Sequence, residues 1–464
     1  MRLFFFFKYR NVEPLLFGLL AIYSLGILMH KTPIYLQVKK ALNYYLENGQ
    51  FIFTVALSGG VDSVVLLHIM HGLKQQYPQL DLSAIYVNHG LSDNAHHWQQ
   101  FCQARCEQLS IDFKAANVII EPKSRTSIEA QAREARYQAL DEHSPSDSVI
   151  LLGQHLNDQV ETFLLRLKRG SGLKGLGAMQ QTRVLESGRE CYRPLLGVKR
   201  SDIEAFAQQF NISHITDESN SNECFDRNFL RQQIVPKLAE RFTGFEQCTA
   251  RSIELLQQQQ ALLDEYTQQD LAQCINQHQA LNIQNMAHYS AIRIANLLRA
   301  WLALFTHTMP SQKQLMQIMS QAIHAQADAQ MVIELSGGQI RRHQGYLYFV
   351  QPRPLAVNIE RVTSHELVLN DGKILQCLQG IGIRAPKPDE QVSVRFNCNS
   401  ARIKPLKKPG SNTLKHWFKD AKVAPWLRAD IPLIFYNDEL VQVVGYFISD
   451  NHKDDTGFIW EYKS

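Results

Sequence analysis

Several familiar signatures are missing from this sequence, and each absence removes a class of function. No CxxC pair occurs among the eight cysteines, so zinc knuckles and clustered iron–sulfur ligands have no scaffold. Cys102 and Cys106 stand four apart, the spacing of neighbours on one helix; reduced thiols and a cytoplasmic location are the simplest expectation. Neither HExxH nor the deaminase HxE…PCxxC pattern is present, and no GxxxxGK[ST] phosphate loop occurs. A strong charge of one sign is also lacking. The net charge of +4 neither requires nor excludes a polyanion. No repeat of solenoid period is found.

Long apolar runs are scarce too. The uncharged stretch Pro14–Met29 falls short of the ~20 residues that span a bilayer, and it lacks a clear small-residue cleavage site. A membrane anchor, part of a signal and a start-site artefact with translation beginning at Met29 are three readings. The third is preferred, with anchoring next, so residues 1–30 are set apart and no stable membrane association is expected.

What the sequence does contain is regular. Its 464 residues suggest two to four domains at ~150 residues each. From residue 50 apolar β-branched runs alternate with helical text. The predicted strands are Phe51–Leu57, Leu82–His89, Asp112–Val118 and Ser148–His155. The predicted helices are Asp62–Gln76, Asn94–Leu109, Ser127–His143 and Asp158–Arg169. Strands joined by helices of this length imply an α/β fold, a doubly wound parallel sheet with both faces covered. Such sheets bind ligands beyond strand carboxyl ends where strand order switches, and both Ser58 and His155 fall at such ends. Residues 31–244 are read as this catalytic domain. Gln-rich helical text marks a second domain, residues 245–352, and short β-like runs with Gly/Pro turns mark a small mixed α/β domain, residues 353–464.

At the first strand–helix junction stands SGGVDS, Ser58, Gly59, Gly60, Val61, Asp62 and Ser63. Glycines let backbone N–H groups approach a phosphate, and the helix dipole favours the anion. Asp62 is out of place beside phosphates unless Mg²⁺ lies between carboxylate and phosphate oxygens. A plain serine-capped turn is the alternative, and the Asp and Ser offsets weigh against it.

Other segments accompany the loop. EAQAREARY puts Arg133 and Arg136 on one helix, where they could clamp phosphates, or form a solvated face with Glu134. HLNDQVET puts Asp158 and Glu161 at i, i+3, suited to a metal or an ammonium group, or simply to a cap and a surface acid. Gly170, Gly172 and Gly175 spell GxGxxG, but after a helix instead of a strand, so a dinucleotide site is rejected in favour of a basic loop over the site. Basic residues also cluster at 401–415, near Trp417 and Phe418, whose expected place is the core of the small domain.

The loop resembles the PP-loop of the ATP pyrophosphatase superfamily (adenine nucleotide alpha hydrolase-like fold). In order, SGGVDS, EAQAREARY, HLNDQVET, KRGSGLKGL, RPLL, DESN and RNFLR are similar to the tRNA(Ile)-lysidine synthase family. The likeness is dense over residues 40–240 and continues into the LKKPGSNTLKHWF tail. It implies an ATP-dependent ligase that adenylates O2 of a wobble cytidine in the CAU anticodon of tRNA(Ile) and then joins free L-lysine to C2. AMP and pyrophosphate are released, lysidine is formed, and the tRNA passes from methionine to isoleucine identity.

For the residues, the resemblance implies ATP held by Ser58–Ser63 with Asn88 and His89, and Mg²⁺ on Asp62. Asp62, Arg133 and Asp158 would be catalytic, with Asp158 and Glu161 toward lysine. Contacts to tRNA would come from Arg136, Lys168, Arg169, Lys174, Arg227, Arg231, Arg402, Lys404, Lys407, Lys408 and Lys415. Many relatives carry two acids before the Gln of HxxDQ; here the first is Asn157, which leaves Asp158 as the stronger candidate. Competing expectations are another PP-loop tRNA enzyme such as a thiolase, several of which need the paired cysteines absent here, and a tRNA-binding relative without turnover. Oligomeric state is open, a homodimer included.

Overall fold

The computed structural model describes residues 28–90, 94–119, 128–216, 218, 224–323, 331–354 and 356–463. The apolar N-terminal stretch up to residue 27, and Asp217, Ser219 and Asn220 of DESN, lie outside the described residues. Two compact units divide at Asp264 and Glu265.

The first unit opens with α1 (Pro33–Glu47), started by a proline that needs no amide partner in the first turn. It continues β1 (Ile52–Ala56), α2 (Val61–Gln76), β2 (Asp81–Asn88), α3 (Ala95–Gln108), β3 (Asp112–Asn117), α4 (Ile128–His143), β4 (Val149–Leu151), α5 (Leu156–Lys168) and α6 (Leu173–Leu176). Then come β5 (Thr182–Val184), β6 (Glu190–Tyr192), α7 (Arg200–Gln209) and α8 (Asp226–Phe229). A π-helical turn, Leu230–Ile234, joins α8 to α9 (Val235–Arg241). The long α10 (Phe245–Cys274) contains the division between the units.

The six strands order as β3-β2-β1-β4-β6-β5, all neighbours parallel except β5 with β6. Strand order reverses at β1, which has β2 on one side and β4 on the other, so a crevice opens beyond the ends of β1 and β4. Alternation along each strand feeds two cores. Phe53, Val55, Leu82, Ala84, Val149 and Leu151 point to one, with α1, α2 and α7. Ala56, Ile85, Ile150 and Leu152 point to the other, where Tyr137 and Leu140 of α4 cover them. The sheet is therefore the doubly wound parallel sheet read from the sequence, extended by β5 and β6. Those two strands were not expected: three polar-flanked residues each carry too little periodicity to see.

In the second unit, β7 (Leu281–Asn282) precedes α11 (Ile283–Met286), α12 (Ala291–Leu302) and α13 (Gln312–Ile323). Strands β8 (Val332–Leu335), β9 (Gly338–His343) and β10 (Tyr346–Val350) pair in the order β7-β10-β9-β8. Trp301, Leu297, Ile318 and Leu347 are fully buried in their shared core. Further on, β11 (Glu366–Val368), β12 (Ile374–Ile383), β13 (Val392–Arg395), β14 (Arg402–Ile403), β15 (Asn412–Thr413) and α14 (Leu414–Asp420) lead to the C-terminal strands. These are β16 (Leu433–Tyr436), β17 (Glu439–Val443), β18 (Phe447–Ile448), β19 (Lys453–Asp454) and β20 (Phe458–Tyr462). Trp417 and Phe418 are buried, 5% and 1% exposed, and Trp417 Nε1 donates to the Ile403 carbonyl at 3.0 Å. Among the described residues no helix is long and apolar enough to cross a membrane.

Candidate active site

The turn after β1 is built for close approach. Gly59 has φ +85°, and a Cβ there would stand 2.6 Å from Ile215 Cδ1 and 3.3 Å from Cys102 Sγ, so both its backbone and its surroundings call for glycine. Ile215 N–H donates to the Gly59 carbonyl at 2.8 Å, tying a distant segment over the turn. Inside it, Ser63 Oγ accepts from Ser58 N–H at 3.1 Å and donates to the Gly60 carbonyl at 3.0 Å. Gly60 is the N-cap of α2, whose first N–H groups have no intrahelical acceptor and face the crevice mouth.

The segment after β4 meets this turn edge to edge. A Cβ on Gly153 would lie 3.1 Å from Ser63 N and 3.2 Å from the Asp62 carbonyl carbon, backbone atoms that cannot swing aside. Two residues on, His155 is 1% exposed, and its Nε2 lies 3.6 Å from Asp62 Oδ1 and 3.5 Å from Asp158 Oδ2. Its backbone N–H donates to Asp158 Oδ2 at 3.1 Å, closing a capping box at the start of α5. The histidine thus joins the two acids that the sequence set ninety-six positions apart. Burial, the largest influence, pushes the Asp62 carboxyl above the ordinary aspartate range, against His155 and Arg200, and Asp62 Oδ1 is buried without a hydrogen-bond partner. At Asp158 burial also pulls upward, but His155, Arg227 and Arg231 together bring that carboxyl below the ordinary range.

Arg227 and Arg231 lie across Asp158 and Glu161. Arg227 donates from Nη2 to Asp158 at 2.9 Å and from Nε to Glu161 at 2.7 Å. Arg231 donates from Nη2 to Asp158 at 3.1 Å and from Nε to Glu161 at 2.7 Å. Two carboxylates therefore face two guanidiniums, with the Glu161 side chain 1% exposed. These arginines, read from sequence as tRNA contacts, are occupied with the acids read as a lysine site.

A cavity of about 500 Å³ is lined by Ser58, Gly60, Val61 and Asp62 of the turn and by Asn88, His89 and Trp98. Thr216, the first residue of TDESN, lines it as well. A second cavity of about 220 Å³ adjoins it, lined by Arg133, Arg136, Tyr137, Leu152, Gln154 and Arg227, with His89 and Arg136 bordering both. Arg136 therefore faces the nucleotide-sized cavity, whereas Arg133 is exposed and touches only the smaller one, its guanidinium 5.8 Å from the Tyr137 ring centre.

Sequence reasoning overlooked Gly153, Gln154, Arg193 and Arg200. Arg193, the arginine of RPLL, is 2% exposed and bridges Gln154, Tyr137 and the Gln180 carbonyl. Arg200 lines the larger cavity from the start of α7. Apart from the RPLL motif around Arg193, no local pattern announces these residues; the fold brings them in. Asn157 has a structural place of its own, accepting from Arg200 N–H at 3.0 Å and donating to Glu246 Oε1 at 2.5 Å.

The remaining basic candidates are dispersed. Lys168 at the end of α5, Arg169 and Lys174 in α6 are exposed, with Lys168 paired to Asp226 at 2.8 Å, and the GxGxxG segment there follows a helix as expected. In the second unit Lys404 and Lys408 pair with Asp450 and Asp420, Arg402 donates to the Ser411 carbonyl, and Lys407 and Lys415 are exposed. No group of three or more metal-ligating His, Cys, Asp or Glu side chains exists among the described residues.

Comparison with known proteins agrees with this architecture. A family model described as a PP-loop domain matches residues 32–238, a TilS substrate binding domain matches 281–348, and a TilS substrate C-terminal domain matches 392–460. The tRNA(Ile)-lysidine synthase of Enterobacter sp. (strain 638) is 39% identical over 415 residues, 88% of this chain and 96% of that protein. Those of Serratia proteamaculans (strain 568) and Vibrio vulnificus (strain CMCP6) are 39% and 40% identical, each over 85% of this chain and 91% of theirs. Among solved structures, the U34-tRNA thiolase NcsA from Methanococcus maripaludis aligns over 48% of this chain and 78% of its own, at 18% identity and a TM-score of 0.41. That likeness is too slight to bear on activity. With a PP-loop domain, two TilS domains in order and relatives matched over nearly their whole length, the chain belongs to the tRNA(Ile)-lysidine synthase family.

Proposed function

We propose that the chain uses ATP to join free L-lysine to C2 of the wobble cytidine in the CAU anticodon of tRNA(Ile). In the first step O2 of the base attacks the α-phosphorus and pyrophosphate leaves. In the second the lysine amine attacks C2, and the C2–O bond breaks to release AMP. The observation that carries the reading is the junction of two strand ends at the switch point. It sets an anion-binding turn and Asp62, which line the larger cavity, next to His155, and His155 next to Asp158.

Within that reading, Ser58–Ser63 bind the pyrophosphate part of ATP, and Asn88 and His89, which line the same cavity, face the adenine. The buried Asp62 Oδ1, which accepts no hydrogen bond, fits one ligand position of Mg²⁺, an ion that keeps waters and phosphate oxygens for the rest. Bound there, Mg²⁺ would neutralise charge on the departing pyrophosphate. Arg136, bordering both cavities, supports the same charge from the chain itself, and Arg133 stands at the acceptor side. Lysine approaches Asp158 and Glu161, where it shares two carboxylates with Arg227 and Arg231. The exposed basic residues from the end of α5 to α6 and in the second unit contact tRNA phosphates, giving salt-sensitive binding. The reaction is placed in the cytoplasm.

Incubation with ATP, labelled lysine and tRNA(Ile) bearing CAU tests the proposal. Lysine is expected in the anticodon nucleoside. Binding of ATP and tRNA without transfer would sink the assignment and leave the inactive tRNA-binding relative.

A further inference from the structure

The smaller cavity is lined by Gln154, whose amide nothing above uses and which Arg193 orients from behind the lining. Arg193 donates from Nε to Gln154 Oε1 at 3.0 Å and from Nη2 to the Tyr137 hydroxyl at 3.1 Å. Its Nη1 donates to the Gln180 carbonyl at 2.8 Å, and its own N–H donates to the Gln181 carbonyl at 3.0 Å. Arg193 is 2% exposed, its guanidinium is fixed by the three side-chain bonds, and its backbone is fixed by the fourth. Because arginine only donates, the atom it meets must be the Gln154 oxygen, which fixes which way the amide faces. The Gln154 NH₂ is left as the outward end. It makes no hydrogen bond to a described residue, and Gln154 lines the cavity together with Ala132, Tyr137 and Leu152.

The cavity's dimensions and lining describe its occupant. About 220 Å³ is below the ~300–1,000 Å³ of clefts that take drug-sized ligands, so ATP belongs next door and a single flat ring fits here. Leu152, Ala132 and Tyr137 form a buried, largely apolar floor, with the Arg183 guanidinium 4.0 Å from the Tyr137 ring centre, while Arg133 and Arg136 offer cations for an attached phosphate. Resting on the proposed function, we infer that this cavity receives the extruded pyrimidine, and that the Gln154 amide reads it by donating to N3. Cytosine presents N3 as an acceptor beside O2. Uracil presents an N3–H donor, which would meet the amide hydrogens head on. Gln154 is thus a specificity-determining residue for cytosine over uracil, and Arg193 is the positioning residue that prevents the amide from flipping to suit either base.

The test uses the full chain with two transcripts of the same tRNA, one bearing CAU and one UAU. Dissociation constants are measured for wild type, Gln154→Met and Gln154→Glu, each checked for folding by circular dichroism. One hydrogen bond and its mismatch correspond to about a tenfold preference of wild type for CAU. Gln154→Met should bring the two constants together. Gln154→Glu, which accepts where the amide donates, should favour UAU; if it fails to fold, the methionine variant decides. Equal CAU preference in wild type and Gln154→Met, or no preference in wild type, overturns the inference. Lysine transfer by wild type, scored in parallel, separates the two levels. Its absence refutes the proposed function, whereas its presence with unchanged preferences refutes Gln154 alone.

Discussion

Removing Glu161 tests whether the acid–arginine cluster is a structural knot. Its carboxylate accepts three hydrogen bonds, at 2.7 Å from Arg227 Nε, 2.7 Å from Arg231 Nε and 2.9 Å from Arg231 Nη2. Hydrogen bonds to charged groups contribute about 1.5–3 kcal/mol each, and breaking one side of a buried pair costs about 3–5 kcal/mol. The side chain of Arg227 is 28% exposed and that of Arg231 24%, and Asp158 still holds both, so water and Asp158 offset part of the loss. Glu161→Ala should therefore destabilise the contact between α5 and residues 226–241 by about 3 kcal/mol. Glu161→Gln keeps shape and one acceptor oxygen and should cost about 1–2 kcal/mol. Hydrogen exchange over those two segments reads this directly, as roughly hundredfold and tenfold faster exchange. The control is Asp226→Ala, which cuts the exposed pair with Lys168 and should change nothing measurable. If Glu161→Ala exchanges no faster than this control, the cluster is not structural and the reasoning fails. A rise in lysine KM for Glu161→Gln, without a matching rise for ATP, would add that lysine lies there.

Other expectations concern the crevice. Gly153→Ala presses a methyl against the backbone of Asp62 and Ser63; it should lower stability by about 1–3 kcal/mol and weaken ATP binding, both read by thermal shift with and without ATP. Asp62→Ala should abolish pyrophosphate release while sparing tRNA affinity, and a comparable loss of tRNA affinity would contradict its role. The raised Asp62 carboxyl has the opposite linkage to a salt-bridged acid: the folded chain binds its proton more tightly, so ionising it costs stability as pH rises above the ordinary aspartate value. Asp62→Asn should accordingly melt higher at neutral pH, and an unchanged or lower midpoint would count against the buried orphan oxygen. Asn157→Asp sets a carboxylate against Glu246 and should cost about 1–3 kcal/mol in urea unfolding, recovered by adding Glu246→Gln.

Much was legible in the sequence for a physical reason: it was local. The alternation that splits β1, β2 and β4 into two cores is a period-2 signal, and a turn followed by a helix start is written within six residues at Ser58–Ser63. The family was legible through the resemblance of short motifs, each of them local, taken in their order along the chain. The sequence alone thus determined the doubly wound sheet, the phosphate-type turn and the class of enzyme.

Tertiary structure decided what lies across the crevice. Whether Arg133 or Arg136 faces the larger cavity depends on how α4 is rolled against β4 and β2, which two arginines three apart cannot declare. Arg227 and Arg231 look like surface cations in RNFLR until α8 and the π-helical turn bring them onto Asp158 and Glu161. Gly153 and Gln154 carry no signal beyond being small or polar, yet in the fold Gly153 abuts the backbone of Asp62 and Ser63, and Gln154 accepts from Arg193. Charge pairing and close approach between segments forty to ninety residues apart are properties of the folded chain, and there the sequence has no period to read.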